Sequence, residues 1–296
     1  MKKQNKAYIF AFIAVILWST VSSAFKVSLK YLSPFDLLFI ASFSSMSVLF
    51  IISAFSGKLT ELFHLSRSDI ISSAILGFLN PFLYYIILFK AYSLLPAQEA
   101  LILNYTWPIT LILLSILILK QKISLKSLFA IIISFFGVLV IATHGNILPL
   151  KFGNFKGSFL AFFSTIIWSI YWIYNIKDKR DDTLKLLLNF VFGFVYISIV
   201  QIFFFNYEMP EIKGILSAIY IGFFEMGITF ILWLKALKFS KSSAKVGNLI
   251  YITPFFALIV ISIVLKEKIM LYTVIGFVFV MTGIILQHPR KSNKHR

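Results

Sequence analysis

The chain has 296 residues; 59% are hydrophobic, 18% aromatic and only 13% charged, about half the charged share of a soluble domain, so a water-facing surface cannot be built from it. Its formal net charge of +17 comes from 28 Lys and Arg scattered along short connections rather than gathered on a polar domain, which excludes nucleic acid as a partner. Cysteine is absent, and with it any disulfide framework, thiolate nucleophile or cysteine-based metal site.

The apolar residues come in blocks, and about 20 residues at 1.5 Å rise cross a ~30 Å hydrocarbon layer. The blocks predict spanning helices over about 7–27, 34–55, 69–91, 97–119, 126–143, 156–176, 184–205, 212–237, 244–265 and 271–287. Segments of alternating polarity, which a membrane barrel needs, do not occur. The first block follows Lys2, Lys3 and Lys6 as a secretory signal would, but it is long enough to span and is expected to be an uncleaved first helix. It carries Trp18-Ser19. The second opens on Ser33, Pro34 and Asp36, a helix-start pattern. In the third, Gly77, Asn80 and Tyr84 share a helical face.

Glu99 follows Pro96 in the first turn of the fourth block, where a negative charge suits the helix dipole. The same block holds Asn104, Tyr105, Trp107 and Pro108. Trp168 and Trp172 mark the sixth; with Trp18, tryptophans of this kind read most simply as anchors at the membrane interface. The run Lys177 to Asp182 and the triplet Lys266-Glu267-Lys268 read as solvated loop charges. Glu225 falls near the centre of the eighth block, where an ionisable side chain costs on the order of 2.5–3.5 kcal/mol. Gly222, Thr229 and Trp233 lie on its side, so it is expected to face a cavity rather than lipid. The ninth block holds Asn248, Tyr251 and Pro254. His64, His144, His288 and His295 lie in loops or the tail, so no metal site is expected within the membrane.

An internal repeat is visible by eye. GFLNPFLYYIILFKA at 77–91 matches GFFEMGITFILWLKA at 222–236, placing Asn80 over Glu225; YTWPI at 105–109 meets YITPF at 251–255, LKQKI at 119–123 meets LKEKI at 265–269, and Gly137 meets Gly283. Five helices is an odd number, so the second copy enters from the opposite face and the halves are related by a pseudo-two-fold axis in the membrane plane. The expected fold is an all-α integral membrane protein of ten transmembrane helices in two inverted five-helix repeats, 1–146 and 150–290. With the N-terminus cytoplasmic, only Lys26, Lys30, Lys90, Lys151, Lys156, Lys213, Lys266 and Lys268 lie outside, leaving 20 of the 28 basic residues inside. That bias predicts both termini on the cytoplasmic face of a cell (inner) membrane.

The candidate substrate site lies between the repeats at mid-depth. Glu225 is the candidate for a substrate amine or a titrating proton, with Asn80 as its counterpart in the first copy; Asn80 otherwise reads as a residue that holds helices together by hydrogen bonding. Tyr84, Asn104, Tyr105, Trp107, Trp168, Asn248 and Tyr251 are the other candidates. Pro108 and Pro254, at symmetric mid-helix positions, are expected to kink their helices and free carbonyls toward a pathway.

Trp18-Ser19 with Lys26, the Ala91 to Pro108 segment, LKEKI with Gly276 and Gly283, and the repeat itself resemble the EamA-like transporters of the drug/metabolite transporter superfamily over nearly the whole chain. NYTWP at 104–108 and Glu225 ahead of Trp233 resemble its aromatic amino acid exporter branch. Ser19 stands where glycine is usual, and Gln121 where an acidic residue is common. The resemblance implies export of small metabolites, amino acids including aromatic ones among them, by alternating access, with no cofactor and the lipid bilayer as surroundings. Other small organic solutes or cationic drugs are the alternative cargo. No GxxxxGK[ST] segment occurs, so ATP hydrolysis by this chain is not expected; proton coupling through Glu225 is. A membrane-embedded enzyme would show clustered Asp, His or Glu, and a channel or scaffold is the remaining class. Oligomeric state leaves no mark in the sequence.

Overall fold

The structure, a computed structural model, describes residues 3–119, 125–147, 153–204, 210–240 and 248–287. Among them there are helices and turns but no strand: α1 (Lys3–Ser28), α2 (Pro34–Phe55), α3 (Arg67–Gly77), α4 (Tyr84–Leu94), α5 (Ala97–Asn104), α6 (Trp107–Leu119), α7 (Leu125–Ala142), α8 (Phe155–Lys177), α9 (Asp182–Phe204), α10 (Ile212–Ile221), α11 (Ile228–Phe239), α12 (Thr253–Leu265) and α13 (Leu271–Gln287). Six helical runs are long and apolar enough to cross a bilayer: Lys3–Ser28, Pro34–Phe55, Arg67–Leu94, Phe155–Asn175, Asp182–Phe204 and Ile212–Ala236. Leu128–Ala142, Leu249–Leu265 and Leu271–Leu286 are shorter apolar helices.

Helices that are apolar all round belong in a core or in lipid. Here Phe12, Phe129, Phe203 and Ile263 point outward and are more than half exposed, which suits a hydrocarbon surrounding and no aqueous one. Helix starts follow the sequence signals. Pro34 opens α2 and Ser33 accepts from the Asp36 amide at 3.1 Å; Ser66 and Asp69 form a reciprocal capping box at α3.

The packing is unchanged in pattern when the two halves are exchanged. α1 lies against α11 and α12, and α8 lies against α4 and α6; further contacts pair α2 with α9, α3 with α9, α2 with α10, and α7 with α13. The first helix of each half is thus embedded among the helices of the other. Close approach depends on small residues, since lipid offers no hydrophobic drive between helices. At the α7–α13 seam a Cβ on Gly137 would stand 2.6 Å from the Gly276 carbonyl oxygen, and one on Gly283 would strike Ser134 and Ala130. Gly137→Val is therefore expected to push the pair apart and lower stability by about 1–3 kcal/mol. A fall in the thermal midpoint of the purified protein checks this, and an unchanged midpoint speaks against the seam.

The corner between α8 and α9 departs from the expectation of solvated charges. Asp178 takes Arg180 Nη2 at 2.5 Å, Arg180 also donates to the Asp69 carbonyl at 3.2 Å, and Lys58 reaches Asp181 at 3.6 Å. Lys185 is buried, donating to the carbonyls of Asn175 and Asp178 and pairing with Asp182 at 2.9 Å. Burial alone would raise the Asp178 carboxyl; the Arg180 hydrogen bonds outweigh it and hold the group below the ordinary carboxylate range. These charges tie the α2–α3 and α8–α9 connections together at one end of the molecule.

Candidate functional site

Two of the helical runs are interrupted at matching places. A π turn at Phe78–Leu83 joins α3 to α4, and another at Gly222–Gly227 joins α10 to α11. Such wider turns release carbonyls and tend to mark functional positions. In the second, Thr229 returns its hydroxyl to the freed Phe224 carbonyl. Gly222 brings this turn against α2, where a Cβ would meet Ala41 and Ser44; it serves packing rather than the cavity wall that its helical phase suggested.

Beside these turns lies a chamber of about 280 Å³, walled by α1, α4, α5, α6, α8, α11 and the turn holding Glu225. All five tryptophans of the chain line it: Trp18, Trp107, Trp168, Trp172 and Trp233. Trp18, Trp168 and Trp172 are therefore not interface anchors. Their rings form a continuous wall, with Trp18 and Trp233 centroids 5.5 Å apart, Trp168 at 5.6 Å from Trp172, and Phe230 touching Trp18, Trp168 and Trp172. Tyr84 lies across Trp168 at 4.6 Å. Glu225 is 9% exposed and opens onto this wall, its Oε1 accepting from Tyr85 Oη at 3.1 Å. A carboxylate set among aromatic faces can hold a cation by charge on one side and by ring quadrupoles on the others.

Of the residues singled out in the sequence, Tyr84, Asn104, Tyr105, Trp107, Trp168 and Glu225 converge on the chamber. Asn104 donates to Ser164 Oγ at 3.0 Å and to Tyr84 Oη at 3.3 Å. Asn80 does not join them. Its backbone leaves the helical region (φ −149°, ψ 117°), and its side chain is fully buried beside Tyr171 and is not part of the chamber lining. Tyr251 is half-buried outside the chamber wall. The Asn248 side chain lies outside the described residues, as do the LKQKI segment's Lys120 to Ile123. Pro108 and Pro254 do not kink continuous helices. The chain breaks just before each: at the Tyr105–Thr106 turn, and at the 3-10 turn Asn248–Ile252. Each proline then sits in the first turn of a new helix, where its missing N–H matters least.

The end of the chamber beyond Tyr92 is held by contacts the sequence did not reveal. Ser22 Oγ meets Tyr92 Oη at 2.8 Å, and Lys26 Nζ donates to the Tyr92 and Leu95 carbonyls at 2.8 Å each, holding the C-terminus of α4. Past that corner, α5 starts on Pro96 without a side-chain cap of its own. Lys266 ends α12 in the left-handed conformation (φ 55°), and Glu267 supplies the cap from there, accepting from the Ala97 amide at 3.1 Å. Gln98 donates to the Lys268 carbonyl at 2.9 Å and accepts from the Met270 amide at 3.1 Å. Glu99, 1% exposed, takes Tyr272 Oη at 2.9 Å and His144 Nε2 at 3.1 Å. Glu267 and Glu99 are thus parts of an interlock between the halves. Positive charge on the end of α4 and negative charge on the start of α5 each match the local helix dipole.

The comparisons with known proteins agree with this architecture. The sequence model of the EamA-like transporter family matches residues 5–143 and again 155–287. A protein of Clostridium kluyveri described as an uncharacterized transporter is 25% identical over 98% of this chain and 94% of its own. One of Archaeoglobus fulgidus, described the same way, is 24% identical over 95% of this chain and 98% of its own. A solved crystal structure superposes with a TM-score of 0.66 at 19% identity, covering 95% of this chain and 96% of that one, a likeness of fold alone. With helices built for lipid and a family model that matches twice in succession along nearly the whole chain, this multi-pass membrane protein belongs to the EamA-like transporter family of the drug/metabolite transporter superfamily.

Proposed function

We propose that the chain is a ten-helix carrier of the cell (inner) membrane, built as two units, 1–146 and 150–290, of opposite topology and with both termini cytoplasmic. It exports small organic amines by alternating access; amino acids, including aromatic ones, are the class that the exporter-branch resemblance at 104–108 and Glu225 implies. The observation that carries this reading is the placement of Glu225 in an aromatic chamber walled by helices of both halves. Packing that survives exchange of the halves supports rocking between two related states. In the proposed cycle the contacts of Lys26, Gln98, Glu99 and Glu267 hold that end shut, and in the proposed topology that end is exterior. Glu225 binds either the substrate ammonium or a proton, so proton entry on one side displaces substrate and couples the two movements.

The topology is tested first. In this cysteine-free chain, Asn5→Cys and Asn293→Cys are each expected to react with a membrane-impermeant thiol reagent only from the cytoplasmic face. Labelling from opposite faces would remove the inverted arrangement.

A further inference from the structure

We infer that the chamber selects organic monocations with an aromatic or apolar body and no free carboxylate, in preference to zwitterionic amino acids; this rests on the carrier reading above and narrows its substrate. Among the described residues that line the chamber there is one carboxylate, Glu225, and no Lys, Arg or His. A cation entering meets that charge and a lining that holds five indoles. A carboxylate entering meets nothing of opposite sign among those described residues.

Several of the neutral side-chain groups are occupied. Both hydrogens of the Asn104 amide are engaged by Ser164 and Tyr84, and Ser22 and Tyr92 bond one another. Pro108 leaves the first turn of α6 short of a backbone donor where an anion would otherwise be welcomed. Lys26, one residue beyond the lining residue Phe25, is not in the wall and donates to the Tyr92 and Leu95 carbonyls. An amino acid that placed its ammonium on Glu225 would also bring its own carboxylate, one carbon away, beside the Glu225 carboxylate. Two like charges would then be stripped of water together. A volume of about 280 Å³ suits one ring and a short amine chain.

The test uses probes that differ only at the carboxyl carbon: phenethylamine, phenylalanine, and phenylalanine methyl ester. Because every tryptophan lines the chamber, intrinsic fluorescence excited at long wavelength reports binding there directly. In the purified full-length protein, phenethylamine and the ester are expected to half-saturate at concentrations at least about tenfold below phenylalanine, a gap of about 1.4 kcal/mol. Glu225→Gln, verified as folded by an unchanged circular dichroism spectrum, is expected to remove most of that gap. Equal or tighter binding of phenylalanine overturns the inference and leaves the carrier reading with an amino acid as cargo. No response to any of the three overturns the inference too, and if exchange of a wider panel in proteoliposomes is also absent, the carrier reading falls with it.

Discussion

Glu225→Gln is expected to reduce exchange of an organic amine in proteoliposomes by about two orders of magnitude. The estimate follows from the roughly 2–5 kcal/mol lost when one partner of a buried charge pair is removed. Glutamine has the same shape and can still accept from Tyr85, so the fold is expected to hold while the charge is lost. The dependence of flux on pH is expected to vanish with it, since the group that alternates between substrate and proton is gone. Tyr85→Phe serves as the complementary variant, removing the hydrogen bond at 3.1 Å but not the charge, and is expected to lose far less than Glu225→Gln. If Glu225→Gln carried substrate normally at every pH, the carboxylate would be structural and the coupling mechanism would be wrong.

The second expected result concerns the interlock at the opposite end from the α8–α9 corner. A hydrogen bond to a charged group contributes about 1.5–3 kcal/mol, and 1.4 kcal/mol is a factor of ten in an equilibrium. Glu267→Gln weakens the bond to the Ala97 amide, and Gln98→Ala removes both bonds to the 268–270 backbone. Each is therefore expected to raise the population open at that end by about tenfold. Leu88→Cys provides the reporter, because Leu88 lines the chamber, lies outside the interlock, and is introduced into a chain with no other cysteine. Its reaction with an impermeant thiol reagent added outside should accelerate in either background. Unaltered labelling rates would show that these contacts do not gate the chamber.

What was legible in the sequence had a physical reason to be. Apolar blocks long enough for a bilayer announce helices regardless of their partners, and the aligned Gly, Pro and Lys positions announced a repeat; the breaks at residues 78 and 222 and before Pro108 and Pro254 did not show, because a π turn or a short unwound turn leaves the run of apolar residues unbroken. Glu225 stood out because an acid in the middle of such a block needs a cavity or a partner. Asn80 misled because helical phase was carried across a π turn. A wider turn changes the rotation of the chain, so residues four apart no longer share a face, and Asn80 and Tyr84 separate. The tryptophans misled for another reason. Sequence position gives depth only roughly, and an indole near a helix end looks like an interface anchor unless its neighbours on other helices are known; here those neighbours are further indoles. Glu267 was hidden because its partner amide lies 170 residues away, a separation over which no local pattern operates.

The most direct experiment is exchange in proteoliposomes containing the purified chain, with a panel of labelled organic amines and amino acids offered outside and unlabelled solute loaded inside. A chamber that opens alternately to either face gives uptake that saturates with concentration and that speeds up when the inside is preloaded. Flux that rises linearly with concentration and ignores preloading, or no flux for any member of the panel, would contradict a carrier built around Glu225.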